Sequence, residues 1–220
     1  MYDVILFDLD GTLTDSGMGI TNSVAYSLKK YGIEISDRTE LYKFIGPPLR
    51  ESFEKYYGFS AEQAGKAVEY YREYYVDKGI FENTVYDGIE ELLKEIRGSG
   101  KRAIVATSKP EVFAKRILEH FGLAGYFEHI VGANMDETRT KKEEVISHVL
   151  QSCKIPDLSR VLMVGDREHD ILGAKKMGLD SLGVLFGYGD REELKRAGAT
   201  YIAETVRDIY PVVFAQAPLA

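Results

Sequence analysis

Val4-Ile5-Leu6-Phe7 is a continuous apolar run of strand length, and it stops at Asp8-Leu9-Asp10-Gly11-Thr12, a stretch rich in loop formers. A half-exposed strand would alternate apolar and polar positions, so an unbroken run predicts a strand covered on both faces. The design recurs. Arg102-Ala103-Ile104-Val105-Ala106-Thr107 leads into Ser108-Lys109-Pro110, and His129-Ile130-Val131-Gly132 follows. Val161-Leu162-Met163-Val164 runs into Gly165-Asp166, Ser181-Leu182-Gly183-Val184-Leu185-Phe186 precedes Gly187, and Tyr201-Ile202-Ala203 is a weaker last run. Helical spacing separates them: Val112, Arg116, Ile117 and Phe121, then Val145, Val149 and Leu150, then Ile171, Ala174 and Met177. Strands alternating with helices imply parallel strands joined by right-handed crossovers, hence an α/β fold with a doubly wound, Rossmann-like parallel sheet. Ligands of such sheets sit beyond the carboxyl ends of the strands, so the polar residues ending these runs should converge.

The alternation breaks between Ser16 and Tyr86, where helical periodicity continues without strands. Ile20, Val24 and Leu28 form one stripe, with Gly32 as its stop. Leu41, Phe44 and Ile45 belong to a second, halted by Gly46-Pro47-Pro48; Leu49, Phe53 and Tyr57 to a third; Val68, Tyr71, Tyr74 and Tyr75 to a fourth. The expected organisation is a core of residues 1–15 and 87–220 with a small all-helical domain, 16–86, inserted after the first strand. Nearly half of the 15 tyrosines and 10 phenylalanines fall between Tyr42 and Tyr86. Packing of a small helical bundle is the favoured reading of them; that some tyrosines face a substrate is the other, and the sequence does not sort the two.

Composition narrows the function. Net charge is −7, which argues against a nucleic-acid polymer or an anionic membrane as partner, since both are held by surplus Lys and Arg. No apolar stretch approaches the roughly 18 residues of a membrane span. The one cysteine, Cys153, excludes an intrachain disulfide framework and reads as a partly buried small hydrophobe, not a nucleophile. The first residues carry acid at Asp3 and no basic leader, so a cytoplasmic location is the expectation.

Two acidic loops carry the chemistry. Asp8 and Asp10 directly follow the first buried strand, and Asp166 and Asp170, in Gly165-Asp166-Arg167-Glu168-His169-Asp170, directly follow another. Each pair alone is explained by turn formation or helix capping. At one edge of one sheet, however, they would bring three or four carboxylates together, an arrangement that repels unless a hard cation relieves it. Mg²⁺ suits the place, because it takes oxygen ligands and commonly combines one or two carboxylates with substrate phosphate.

Asp8-Leu9-Asp10-Gly11-Thr12 together with Gly165-Asp166-Arg167-Glu168-His169-Asp170 resembles the haloacid dehalogenase-like (HAD) superfamily of phosphatases over essentially the whole chain. The helical insert is similar to the cap that members of one class carry between their first and second motifs. Gly46-Pro47-Pro48-Leu49 resembles caps of the phosphoglycolate phosphatase-like and nucleotidase-like members. The resemblance implies Asp8 as a nucleophile that forms an aspartyl-phosphate, and Asp10 as general acid and base. It implies Asp8, the backbone carbonyl of Asp10, Asp166 and Asp170 as the Mg²⁺ site. Thr107 takes the place of the second-motif hydroxyl that binds a phosphoryl oxygen, with Ser108 and Lys109 beside it and Gly11 and Thr12 completing the substrate-binding set. For the phosphate-binding lysine Arg139-Thr140-Lys141-Lys142-Glu143-Glu144 offers two candidates, and the usual following proline is absent. Lys142 is favoured, because the next helix then begins in the expected phase; Lys141 is the alternative. Arg50 either reaches a second anionic group of the substrate or solvates the cap surface. His169 is not expected to bind metal.

The implied function is a Mg²⁺-dependent phosphomonoester hydrolase acting on a small phosphorylated metabolite, of the phosphoglycolate or nucleoside monophosphate class, as a monomer or homodimer. The alternatives are a sugar phosphomutase of the same superfamily and a catalytically silent phosphate-binding regulatory protein. Dehalogenase and phosphonate hydrolase readings are disfavoured, because those relatives lack the second aspartate present here as Asp10.

Overall fold

The structure is a computed structural model that describes residues 1–136 and 138–214. In chain order the strands and α-helices are β1 (Val4–Phe7), β2 (Thr14–Asp15), α1 (Gly17–Lys29), α2 (Leu49–Tyr57), α3 (Ala61–Tyr75), β3 (Thr84–Val85), α4 (Ile89–Gly98), β4 (Arg102–Pro110), α5 (Glu111–His120), β5 (His129–Ala133), α6 (Lys142–Ser152), β6 (Val161–Gly165), α7 (Glu168–Lys176), β7 (Asp180–Val184), α8 (Arg191–Ala197), β8 (Tyr201–Ala203) and α9 (Ile209–Phe214). Six of the strands form one parallel sheet in the order β5-β4-β1-β6-β7-β8. The fold is α/β and doubly wound, as the apolar runs required.

Period-two alternation assigns the two faces of the sheet. Ile5 and Phe7 of β1, Val105 of β4, and Leu162 and Val164 of β6 enter one core cluster. Val4 and Leu6, Ile104 and Ala106, and Val161 and Met163 enter another. Helices α4 and α5 supply Leu92, Leu93, Phe113 and Ile117 to the first, and α6 supplies Val145, Ile146 and Val149 to the second. Both faces are therefore dry, which is why these strands carry no polar alternation. From β1 the chain moves outward to β4 and β5, then returns to β6 on β1's other side. The strand order thus reverses between β1 and β6, and the crevice at such a switch point is where this fold binds ligands.

Strand β4 runs on through Pro110 instead of ending at Thr107. It regains its pairing with β5 at Pro110↔Ala133, after a register shift beyond Ala106. The stretch around Leu41 is a 3-10 helix, Arg38–Phe44, with no α-helical turn of its own. Strands β2 and β3 leave no mark in the sequence, because at two residues each they carry no periodic pattern. They form an antiparallel ribbon, Thr14↔Val85 and Asp15↔Thr84, through which the helical insert leaves and rejoins the sheet. Within the insert, Ile20, Val24, Phe44, Phe53, Val68, Tyr71 and Tyr75 are buried in the same cluster as one face of the sheet. No helix among the described residues is long and apolar enough to cross a membrane.

Candidate active site

Asp8 donates its backbone N–H to the Val164 carbonyl at 2.9 Å, so parallel pairing continues one residue past β1 and fixes Asp8 at the top of the sheet. The chain then turns tightly: Gly11 N–H reaches the Thr14 carbonyl at 2.8 Å, and Leu13 N–H the Leu9 carbonyl at 2.9 Å. Gly11 has φ +82°, and a Cβ there would collide with the Asp166 carboxylate. Only glycine satisfies both conditions without strain. The turn parts the two N-terminal carboxylates. Asp10 accepts from Lys109 Nζ with both oxygens, at 3.0 and 2.7 Å, whereas Asp8 joins the distal loop.

Asp166 follows β6 directly and Asp170 lies in the first turn of α7. Asp170 Oδ2 accepts the Arg167 backbone N–H at 3.1 Å, and Asp166 Oδ2 accepts that of Tyr188 at 2.8 Å. The carboxylates of Asp8, Asp166 and Asp170 bring oxygens within 4.8 Å of one another, and all three residues are buried. Lys142 opens α6 and spans part of this cluster. Its Nζ lies 2.8 Å from Asp8 Oδ1 and 2.7 Å from Asp170 Oδ1, and it donates to the Ala106 carbonyl at 3.0 Å. Helices α6 and α7 approach closely here, because Gly173 leaves room for the Lys142 side chain: a Cβ at Gly173 would stand 2.8 Å from Lys142 Cγ.

The charges do not balance. Four carboxylates (Asp8, Asp10, Asp166, Asp170) face two ammonium groups, Lys109 and Lys142. Burial works against the Lys142 ammonium, but Asp170 and Asp8 outweigh it and hold the pKa above the ordinary lysine value. Burial and the nearby charges of Asp170 and Asp8 push the Asp166 carboxyl well above the usual carboxylate range, against the Tyr188 N–H bond that lowers it. Burial raises Asp170 too, with Lys142 opposing. With all four carboxylates ionised two positive charges are missing, and the donors offered are oxygens only. A hard divalent cation fits that demand, and a soft or nitrogen-preferring metal does not. Asp8, Asp166 and Asp170 are the residues that could hold it.

The remaining sequence candidates lie around this cluster. Thr107 is buried, and its hydroxyl accepts the Lys109 backbone N–H at 3.2 Å. The Thr12 hydroxyl, also buried, lies 3.5 Å from Asp166 Oδ1. Lys142 is buried and Lys141 exposed, so of the two lysines only Lys142 meets the carboxylates. His169 is exposed. Ser108 and Lys109 line one side of a cavity of about 190 Å³ between sheet and insert, with Gly46, Arg50, Tyr71 and Tyr75 opposite. Arg50 lines the insert side of that cavity, and its Nη1 donates to the Ala61 carbonyl at 3.0 Å. Sequence reasoning singled out neither Arg167 nor Tyr188. Arg167 occupies an unspecified position of the distal acidic motif, and Tyr188 lies in a loop with no motif.

The description "Haloacid dehalogenase-like hydrolase" matches residues 5–184. The chain belongs to this family. Among proteins similar to this HAD-like hydrolase, a 5'-nucleotidase of Pseudomonas aeruginosa is 47% identical over 200 residues, 91% of this chain and 90% of that protein. The tyrosine-protein kinase PtkA of Mycobacterium tuberculosis is 40% identical over 199 residues, 90% of this chain and 67% of that protein. A crystal structure of a predicted phosphatase from Clostridium acetobutylicum superposes with a TM-score of 0.95 at 50% identity, covering 98% of this chain and all of that one. Family membership and these relatives make this HAD-like hydrolase a phosphatase.

Proposed function

We propose that the protein is a Mg²⁺-dependent phosphomonoesterase for small phosphorylated metabolites in the cytoplasm, with nucleoside 5'-monophosphates the favoured class and phosphoglycolate the smaller alternative. The observation that carries this reading is the convergence of Asp8, Asp166 and Asp170 at the switch point of the sheet, with Lys142 bridging Asp8 and Asp170. The 5'-nucleotidase relative supports the substrate class. So does the cavity beside Lys109, whose walls include Phe44, Tyr71, Tyr75 and Phe113 and suit a planar base.

Asp8 is the nucleophile. Its carboxylate oxygen attacks phosphorus, the bond to the leaving oxygen breaks, and Asp10 protonates that oxygen. Asp10 then takes a proton from water as the water's oxygen attacks the phosphorylated Asp8, which frees inorganic phosphate and restores the carboxylate. Splitting the displacement in two lets one carboxylate pair serve both halves. Lys142, Thr107 and the backbone around Gly11 and Thr12 hold the phosphoryl oxygens, since phosphoryl transfer needs positioning and charge neutralisation above all. Bound Mg²⁺, held by Asp8, Asp166, Asp170 and the Asp10 carbonyl, supplies positive charge to the transferring group. Lys109 orients the Asp10 carboxylate. Residues 16–86 act as a cap domain on the core of residues 1–15 and 87–220, closing over the substrate and excluding water.

The experiment is release of inorganic phosphate from a panel that includes p-nitrophenyl phosphate, nucleoside 5'-monophosphates, 2-phosphoglycolate and glucose 1-phosphate, with Mg²⁺ or with EDTA. Mg²⁺-dependent release, fastest with a nucleotide, is expected. Isomerised sugar phosphate without free phosphate would favour a mutase, and no turnover of any ester would remove the reading.

A further inference from the structure

Arg167 lies between two of the cluster's carboxylates in sequence, yet its side chain serves the insert. Its backbone N–H supports Asp170 Oδ2 at 3.1 Å. Its Nη1 donates to the Ile45 carbonyl at 2.7 Å, and its Nε to Glu193 Oε1 at 2.9 Å. The same Glu193 oxygen accepts the Glu168 backbone N–H at 2.8 Å. Glu193, on α8, thus braces the guanidinium from the core side and leaves one edge facing Ile45.

The insert is shaped to receive that edge. Ile45 is fully buried, and Gly46, with φ +100°, turns the chain over the aliphatic part of Arg167. A Cβ at Gly46 would stand 3.2 Å from Arg167 Cγ, so any other residue would press on the arginine. The residues that follow, Gly46 to Glu51, line the cavity. A second tie runs beside the first. Tyr188, whose N–H holds Asp166 Oδ2, donates its hydroxyl to Asp15 at the entry to the insert and packs edge-on against Tyr42, with ring centroids 5.5 Å apart.

We propose that Arg167 is a positioning residue that latches the segment Ile45 to Leu49 onto the loop bearing Asp166 and Asp170. The latch sets the substrate-facing side of the insert in register with the carboxylate cluster. The backbone bond ties Arg167 to the site, and the guanidinium ties it to the insert. This inference rests on the phosphomonoesterase reading for its kinetic consequence but not for its structural one. Loss of the latch spares the reacting groups and loosens the wall that holds the rest of the substrate.

The test is Arg167→Met, which keeps the aliphatic stem and removes the donors, read by steady-state kinetics on the best nucleotide or phosphoglycolate substrate and by amide hydrogen exchange. KM is expected to rise about ten-fold or more, the scale of one hydrogen bond to a charged donor, with kcat within about three-fold. Exchange at Ile45 and Ser52, whose N–H groups are held by the Tyr42 and Pro48 carbonyls, is expected to quicken while β1 and β6 stay protected. Glu193→Gln, which keeps an acceptor for Nε, should retain the wild-type KM, and Arg167→Lys should recover part of the protection. If Arg167→Met does not fold, exchange at the same amides in Arg167→Lys decides: faster than wild type supports the latch, unchanged refutes it. Wild-type KM together with wild-type exchange in a folded Arg167→Met would overturn the inference, as would a collapse of kcat at constant KM. Quickened exchange in a protein that turns over no phosphate ester would leave the latch standing and refute the functional reading instead.

Discussion

Lys142 Nζ stands 2.8 Å from Asp8 Oδ1, and both side chains are almost wholly removed from solvent. This ammonium touches the carboxylate proposed to attack phosphorus and, at 2.7 Å, that of Asp170 as well. A buried cation shared by two carboxylates holds both of them in place, and in the proposed reaction it also meets the phosphate. Lys142→Met should lower stability by about 3 kcal/mol, because it strands two buried acids. It should reduce kcat by about a hundred-fold or more, the usual consequence of removing one group that meets developing negative charge. Denaturant unfolding and phosphate release on the same preparation check both. Full activity in the variant would show that the lysine holds the fold and not the phosphate.

Asp166 has no ammonium partner among the described residues, and burial together with Asp170 and Asp8 disfavours its charge. Replacing it by asparagine keeps an acceptor for the Tyr188 N–H and removes the repulsion. In EDTA, Asp166→Asn should melt higher than wild type by about 2–4 °C, which corresponds to about 1 kcal/mol in a chain of this size. Added Mg²⁺ should then raise the melting temperature of the wild type and leave the variant unmoved. A variant that is less stable in EDTA, or still stabilised by Mg²⁺, contradicts the assignment.

The Tyr75 hydroxyl is buried without a hydrogen-bond partner among the described residues, and the ring lines the cavity above Lys109, whose Nζ lies 4.9 Å from the ring centroid. Burial raises its pKa well above the ordinary tyrosine value, so the group is a neutral donor at any working pH. Such a group costs stability for as long as it stays unpaired. Tyr75→Phe should stabilise the free protein by about 1 kcal/mol and raise KM several-fold. Calorimetry and steady-state kinetics should show the opposed signs; a destabilised variant with unchanged KM would place the hydroxyl in packing alone.

Gly11 presses against the Asp166 carboxylate at φ +82°. Gly11→Ala strains the turn and displaces a proposed metal ligand together. Loss of about 2 kcal/mol or more and of nearly all activity is expected. A variant with near-normal turnover would mean that this turn tolerates movement the structure does not suggest.

Much of the fold was legible because both faces of the sheet are dry. That condition writes unbroken apolar runs at β1, β4 and β6 and places Asp8 and Asp166 at strand ends, where the switch point gathers them. The choice between Lys141 and Lys142 was not legible from charge, because the two are identical; the start of α6 and the gap at Gly173 decide which is buried. The division of Asp8 and Asp10 between separate ammoniums depends on one turn and on β4 extending past Thr107, neither of which leaves a periodic trace. Arg167 and Tyr188 act through a backbone carbonyl, a backbone N–H and a ring edge. Such contacts impose no pattern on a sequence.

The most direct measurement is acid quench of the enzyme during turnover, followed by peptide mass spectrometry of the segment containing Asp8. The account predicts one phosphoryl group on Asp8, formed faster than steady-state turnover and absent in Asp8→Asn, which should lose at least about a thousand-fold in kcat. Wild-type turnover by Asp8→Asn, or a phosphoryl group found on any other residue, would contradict it.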